Sequence, residues 1–338
     1  MLRNLFFFPT LIGKNTKTMG LFKSIILKFK NKKVIKTKRP GDLLSYKDFA
    51  LNDITELTVI GPVCKKDIDR LVRIAKENGA LKVLNIGGAS EILEINNNQF
   101  HGCDCLEKVI LPNGLLRIGE SAFESCRSLN EIVVPDSLQT ISKSAFFACY
   151  SLIEFKITKN VKFIGNWALA CKNLESIRVD ENNKMFKSID NILFSNDGTT
   201  LLKYPSHKPE SSYSVPDGVK IIANAAFQDC TELQDIVFPD SLEEIGDNAF
   251  LNTQIKRLSV PHGVKKIGKL AFSHNTLLTT VNLPGSIVCL GERAFTECHK
   301  LTEVNIENGI TGIEDNVFAN CHSLKSVELP QSAYKVTE

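Results

Sequence analysis

A single column of aromatic residues recurs along most of the chain at a nearly constant interval. The column contains Phe123, Phe146, Leu169, Phe227, Phe250, Phe272, Phe295 and Phe318. Successive members are 23, 23, 58, 23, 22, 23 and 23 residues apart, and an Ile or Leu stands five residues before each of them. Periods of this length are typical of solenoids, in which each unit covers the apolar face of the next. The pattern predicts a stack of coils of about 23 residues each.

A short alternation of apolar and polar residues follows each member of the column. It has the form L-x-x-I-x-I-P, as in Leu129, Ile132, Val134 and Pro135. Alternation places both Ile positions on one face of a strand, and proline ends the strand because it has no N–H to donate. We therefore expect one short parallel strand per coil. The x between the two Ile positions points away from the core, and this row is the candidate binding face: Ile110, Val133, Lys156, Arg178, Val237, Ser259, Asn282, Asn305 and Glu328.

Three regions depart from the repeat. The 58-residue gap holds a predicted β-hairpin insert near residues 180–214, with Ile192–Phe194 and Leu201–Pro205 as its strands and Ser195–Gly198 as its turn. Residues 41–100 are predicted to be an N-terminal cap with one amphipathic helix at Lys65–Ala80, and residues 101–338 hold the repeats. A last strand is predicted at Leu324–Leu329, with no further Phe unit to cover its edge.

Charge is distributed unevenly along the chain. Residues 1–40 carry eleven Lys or Arg and no Asp or Glu, which leaves a net charge of −8 on the remainder. This basic segment is predicted to lie outside the fold, as a disordered tail, against an anionic membrane surface, or as part of a misassigned start. Around Lys23–Arg39 only Phe22 and Phe29 are aromatic, which argues against nucleic-acid binding. Leu5–Ile12 after Arg3 resembles a signal-peptide core, but no small-residue cleavage site follows it.

Most cysteines occupy one position of the repeat, two or three residues after the Phe column. They are predicted to form an inward ladder of small buried thiols, with a disulfide or metal site as the alternative: Cys126, Cys149, Cys171, Cys230, Cys298 and Cys321. His101-Gly102-Cys103-Asp104-Cys105 has zinc-ligand composition without zinc-ligand spacing, and there Cys105 is placed close to the ladder. His299 and His322 are predicted to lie one coil apart on the surface.

No catalytic motif is present among the phosphate-loop, nucleophile-elbow and metalloprotease patterns. Because packing and turn positions account for nearly all of the repeat, we expect no enzyme activity, no cofactor and no metal site.

The repeat resembles the BspA-like leucine-rich-repeat family, whose unit is L-x-x-I-x-I-P-x-x-V-x-x-I-G-x-x-A-F-x-x-C. Asp136–Cys149 matches this unit almost throughout, and Ser188–Phe194 and Tyr213–Val219 also resemble segments of that family. The resemblance covers about residues 81–338. It implies an α/β fold, a right-handed leucine-rich-repeat solenoid with one short parallel strand per repeat.

The resemblance also implies a non-catalytic function. Members of this kind are surface or secreted adhesins that hold a host protein, which predicts a protein ligand on the concave sheet face. The incomplete export signal leaves a second hypothesis, an intracellular or membrane-surface scaffold anchored by the basic residues 1–40.

Overall fold

In the computed structural model, which describes residues 31–45, 54–77 and 79–336, the chain winds as a solenoid with a parallel strand on the front of each coil. Apolar alternation sets these strands, because their inward residues are buried and their outward residues meet solvent. The front strands are β1 (Lys32–Lys36), β2 (Glu56–Pro62), β3 (Val83–Ser90), β5 (Lys108–Ile110), β7 (Glu131–Val133), β9 (Glu154–Ile157), β11 (Ser176–Val179), β15 (Ser212–Ser214), β17 (Asp235–Val237), β19 (Arg257–Ser259), β21 (Thr280–Leu283) and β23 (Glu303–Ile306).

A second series of mostly two-residue strands forms the back of the coils. Each contains the Ile or Leu that precedes the Phe column, and that residue is buried in nearly every coil. The back strands are β4 (Glu94–Ile95), β6 (Arg117–Ile118), β8 (Thr140–Ile141), β10 (Phe163–Ile164), β14 (Thr200–Lys203), β16 (Ile221–Ile222), β18 (Glu244–Ile245), β20 (Lys266–Ile267) and β22 (Cys289–Leu290).

Between the two series lies the aromatic column, which is stacked ring on ring. Phe123 and Phe146 have centroids 5.5 Å apart, and Phe250 and Phe272 have centroids 5.0 Å apart. Two members escaped the sequence analysis. Phe100 stacks on Phe123 at 5.1 Å, and Tyr204 stacks on Phe227 at 4.9 Å. The column therefore begins one coil earlier than predicted, and its second stack begins within the insert, at Tyr204.

The basic N-terminal segment was predicted to lie outside the fold, and for residues 32–36 this is wrong. These residues form β1, which pairs in parallel with β2 from Lys32↔Glu56 to Lys36↔Ile60. The alternation of the segment buries Ile35 and leaves the lysines at the solvent edge, where Lys32 forms an ion pair of 2.6 Å with Glu56. Lysines on an edge strand hinder pairing with another chain. Residues 1–30 lie outside the described part.

The predicted helix of the N-terminal region is confirmed with a shorter end. Helix α2 spans Lys65–Glu77 and buries Ile68, Leu71 and Ile74. The Asp67 carboxylate accepts hydrogen bonds from the backbone N–H of Cys64 at 2.8 Å and of Gly41 at 2.6 Å, so it caps α2 and ties it to the preceding segment. That segment includes a one-turn helix, α1 (Asp42–Ser45), which the sequence analysis did not predict.

The predicted last strand is wrong. Residues 324–330 form no strand, and a 3₁₀ turn follows at Gln331–Val336. Leu324, Val327 and Leu329 are only half-buried, as is Phe318 at the end of the aromatic stack. No later coil among the described residues covers these side chains. The apolar spacing of residues 324–330 is therefore not sufficient to form a strand.

The insert contains three antiparallel strands rather than two. Strand β12 (Phe186–Ile189) pairs with β13 (Ile192–Ser195), and β13 pairs with β14. The predicted hairpin of β13 and β14 is thus confirmed. The added turn is Asp190-Asn191, whose φ angles of 51° and 65° are those of a two-residue type I′ hairpin.

The insert divides the apolar interior into two clusters. Strand β13 is buried on both faces: Leu193 packs in the first cluster, and Ile192 and Phe194 pack in the second. Front strand β11 pairs with β9 before the insert, whereas back strand β14 pairs with β16 after it. Among the described strands, β11 is not paired with β15, and β10 is not paired with β14. We call this region, residues 176–214, the junction.

Candidate functional site

The structure places the predicted binding row on the front of the solenoid. Eight of its nine residues are exposed, and Ile110 is half-buried. Ile110 pairs in register with Val133, Lys156 with Arg178, and Ser259 with Asn282 and then Asn305. Glu328 is exposed but lies outside any strand, because the predicted last strand does not form.

The same row extends beyond the residues that were predicted. In β1, β2 and β3 the register continues from Ile110 through Asn85 and Thr58 to Val34, and in β15 Ser214 lies opposite Val237. These additional residues could have been found from the apolar–polar alternation, because β1 and β15 have the same alternation as the other front strands. We call this extended set the front row.

Side chains along the front row are tied to their neighbours by weak surface interactions. The Lys108–Glu131 pair is 2.7 Å long, and Arg178 Nε lies 3.3 Å from Glu154 Oε1. Further along, Asn305 Nδ2 donates to Asn282 Oδ1 at 2.9 Å. Exposed pairs of this kind contribute about 0–1 kcal/mol, so these side chains can exchange their partners for a ligand at little cost.

A cleft of about 500 Å³ opens on the front at the junction. Its walls include Ile153, Glu154, Arg178, Asn191 and Lys208. The edge of β11 is covered here, since the Ile177 N–H donates to Asn191 O at 3.0 Å and Ser188 Oγ donates to Ile177 O at 2.6 Å. The cleft interrupts the front row directly beside Arg178. Its walls therefore bring charged, amide and apolar side chains close together.

The cysteine ladder is an internal packing feature. Most ladder thiols donate to the carbonyl of the aromatic column one coil earlier, as Cys126 Sγ does to Phe100 O and Cys149 Sγ to Phe123 O, both at 3.1 Å. Cys230 Sγ instead lies 4.0 Å from Gln228 O. The first ladder member is Cys103, which is fully buried, whereas Cys105, placed near the ladder from the sequence, is half-buried. All cysteines of the described chain are free thiols.

Burial also makes these thiols unreactive. It raises the pKa of Cys103, Cys126, Cys171 and Cys230 to about 12. Because the thiolate is the nucleophile and the metal ligand, thiols with such pKa values are poor at either task. In the part of the chain that the structure describes, no group of three or more His, Cys, Asp or Glu side chains is arranged to hold a metal ion.

The two histidines lie as predicted, one coil apart on the surface. The His299 and His322 rings are stacked with centroids 5.2 Å apart, and His299 Nε2 lies 3.3 Å from Glu297 Oε2.

A buried lysine at the junction was missed by the sequence analysis. Lys203 stands directly before Tyr204, at the position where other coils have the alanine of the Ala-Phe pair. Its Nζ donates to Ser206 Oγ and to Ala225 O, both at 3.2 Å, and it borders a cavity of about 60 Å³. Burial lowers its pKa. The sequence could have shown this, because the Lys203-Tyr204 pair stands 23 residues before Ala226-Phe227, which is one period of the repeat.

Comparison with known proteins identifies the repeat. A model of the BspA type leucine rich repeat region matches residues 93–210 and 206–325, with six copies. The chain belongs to the BspA-type leucine-rich-repeat family. No curated protein matches the sequence. Among solved structures, the pneumococcal vaccine antigen PcpA is 26% identical with a TM-score of 0.61, over 79% of this chain and 72% of that one.

Two further bacterial structures share the fold. A leucine-rich cell surface protein from Faecalibacterium prausnitzii is 24% identical with a TM-score of 0.64, over 81% of this BspA-type chain and 72% of that one. A leucine-rich repeat protein from Eubacterium ventriosum is 20% identical with a TM-score of 0.62, over 90% and 87% of the two chains. Among the described residues, no helix is long and apolar enough to cross a membrane.

Proposed function

We propose that this BspA-type chain is a non-catalytic binding module of the surface or secreted kind, which holds a protein ligand on its front row. The observation that carries the proposal is the in-register row of exposed side chains, whose identities vary while the inward positions stay apolar. Repeat proteins use such extended faces for recognition. The likeness to PcpA, a vaccine antigen, supports display outside the cell.

The chemistry of the front row favours a ligand of mixed character. Ile110 and Val133 offer an apolar stretch, Lys156 and Arg178 a basic one, and Asn282 and Asn305 an amide one. Apolar and arginine side chains supply most binding energy in protein interfaces, whereas exposed amides mainly fix orientation. We therefore expect the stretch from Ile110 to Arg178 to contribute most of the affinity.

A photocrosslinking comparison tests the binding face. A crosslinkable amino acid replaces Lys156 on the front or Lys162 on the back of the same coil, since both lysines are exposed. Each protein is exposed to a panel of extracellular matrix proteins and to the proteins of the source culture. We expect discrete adducts from position 156 that excess unlabelled chain suppresses, and none from position 162. Equal adducts from both positions would refute a front ligand.

The compartment is tested separately, because the scaffold hypothesis places the same face inside the cell. Protease treatment of intact source cells should release peptides of residues 41–338 if the protein is displayed. Peptides that appear only after lysis would support the intracellular scaffold, with the basic residues that precede β1 as its anchor.

A further inference from the structure

A second groove lies on the turn side of the coils at the junction, away from the front row. Its volume is about 370 Å³, within the roughly 300–1,000 Å³ typical of small-ligand sites. Phe147 and Trp167 come from coils before the insert, and Gln228, Asn248 and Leu251 from coils after it. We call it the junction groove. Its walls lie up to 127 residues apart in sequence, between Glu124 and Leu251, so the groove depends on how the arrays before and after the insert are placed together.

Trp167 occupies a backbone position that disfavours it. It is the chain's only tryptophan, and its φ is 57°. The same corner of other coils has a left-handed residue as well, commonly a small or polar one such as Ser121, Ser144 or Asn248. A bulky residue there costs about 1–2 kcal/mol relative to a right-handed conformation. Leu270 and Arg293 also hold this corner, so the left-handed backbone belongs to the repeat, and the choice of tryptophan is what distinguishes this coil.

Packing does not account for this tryptophan. Trp167 is half-buried and belongs to neither apolar cluster, unlike Ala168 and Leu169 beside it. Lys143 Nζ lies 5.5 Å from the centre of the indole ring, so one cation–π contact is made from the previous coil. The rest of the ring contributes to the wall of the groove.

The other walls combine apolar and hydrogen-bonding side chains. Phe147 and Leu251 are apolar, while Glu124, Gln228 and Asn248 are polar, and all five are half-buried. A ligand that satisfies both kinds of wall has an apolar face and a rim of hydroxyl groups. Hexose rings have this form, because their C–H groups lie on one face and their hydroxyls project around the ring.

An extended peptide fits the groove less well. The backbone at its walls is already paired from coil to coil: the Ser144 N–H donates to Asn166 O at 3.0 Å, and the Asn248 N–H donates to Lys269 O at 2.9 Å. A peptide that binds by its main chain needs a free strand edge. In the junction groove, hydrogen bonds must come from side chains instead, which suits a ring of hydroxyls.

We propose that the junction groove binds a saccharide of one to three hexose rings, with the Trp167 indole as its stacking platform and Glu124, Gln228 and Asn248 as partners of its hydroxyls. This site is independent of the front row, so either site can be refuted without the other.

The single tryptophan makes the test direct, because all indole emission of the chain reports on the groove. The full chain is titrated with maltotriose, chitotriose, N-acetyllactosamine and sialyllactose while tryptophan emission is followed, and it is also applied to a glycan array. We expect at least one saccharide to shift the emission saturably. On the array, Trp167→Ala should weaken that binding by about tenfold or more, equivalent to about 1.4 kcal/mol, and Asn248→Ala should weaken it less.

Arg293→Ala is the matched control, because Arg293 has the same left-handed corner position, with φ 57°, in a coil outside the groove. It should bind like the unmodified chain. A melting temperature for each variant separates loss of binding from loss of folding. The proposal is overturned if no saccharide binds, if Trp167→Ala binds as well as the unmodified chain while folded, or if an apolar peptide shifts the emission and no saccharide does.

Discussion

The coils before the insert satisfy a buried carbonyl of the aromatic column in one way, and the coils after it satisfy it in two. Before the insert, Cys126 and Cys149 each donate a weak S–H hydrogen bond to the column carbonyl one coil earlier. After it, Cys298 Sγ and Cys321 Sγ make the same bond at 3.4 and 3.1 Å. In one coil, however, Asn275 takes the position and its Nδ2 donates to both Phe250 O and Phe272 O at 2.8 Å. The comparison shows that the position requires a small buried donor and not sulfur as such.

The aromatic column differs between the two regions as well. Before the insert it ends at Leu169, and Phe155 from a front strand packs against Phe146 at 5.1 Å. After the insert the rings from Tyr204 to Phe318 stack without interruption, with centroids 4.6–5.6 Å apart. The second array is therefore the more regular one, although a front-strand ring packs beside the column in both arrays, since Phe238 lies 5.7 Å from Phe250.

The largest effect is expected from removing a ring. Phe146→Ala and Phe250→Ala should each lower the free energy of unfolding by roughly 3–5 kcal/mol, the range for large buried aromatics. Both rings are fully buried. Urea unfolding followed by circular dichroism measures the loss. A loss under about 1 kcal/mol for either variant would mean that its ring is not part of a packed column.

Removing the buried amide should cost less than removing a ring. Asn275→Ala leaves Phe250 O and Phe272 O with only the longer bonds from Thr253 Oγ1 and Cys298 Sγ. We therefore expect a loss of about 2 kcal/mol, whereas Cys149→Ala should cost about 1 kcal/mol. Asn275→Cys is the sharpest control, because it installs the thiol donor that Cys298 and Cys321 already use in the following coils. Recovery of at least half of the loss would support a shared role of this position, and no recovery would show that this coil requires the amide.

Replacing Lys203 at the junction with an apolar residue should increase the free energy of unfolding. Lys203→Met keeps the length of the side chain and removes a buried cation, so we expect a gain of about 1 kcal/mol at neutral pH. Because burial lowers the pKa of Lys203 from 10.5, the unfolded chain binds the proton more tightly and the penalty fades as pH rises towards that value. The gain should shrink accordingly between pH 7 and pH 10 in thermal unfolding. Lys184→Met is the exposed control, and a larger gain for Lys203→Met at pH 10 than at pH 7 would contradict this account.

The smallest effect on stability is expected on the front row. Lys156→Glu with Arg178→Glu should change the free energy of unfolding by less than about 0.5 kcal/mol, as exposed substitutions usually do. The same pair should abolish the adducts formed from a crosslinker at Ser259, whereas Lys162→Glu with Lys172→Glu on other exposed surfaces should not. If the front pair destabilises the chain by more than about 1 kcal/mol, the front row is structural rather than free for a ligand.

Much of the architecture was predictable because its causes are local. The recurring Phe and Ile positions predicted the coils, the apolar alternation predicted most front strands, and the spacing of Ile68, Leu71 and Ile74 predicted α2. The front row followed from the same alternation, since an outward direction is set by the strand itself. The ligand of the front row does not follow from the outward direction of its side chains alone.

The amino-acid sequence by itself determined the repeat, the direction of each outward side chain and the place of the insert, because these depend on spacing along the chain. Only the tertiary structure decided that Tyr204 continues the aromatic column, that β13 is buried between two clusters, and that the predicted last strand lacks a covering coil. It also decided the junction groove, where Phe147 and Trp167 meet Leu251 across the insert. Burial and contact between such distant residues depend on how coils stack, and no local pattern contains that information.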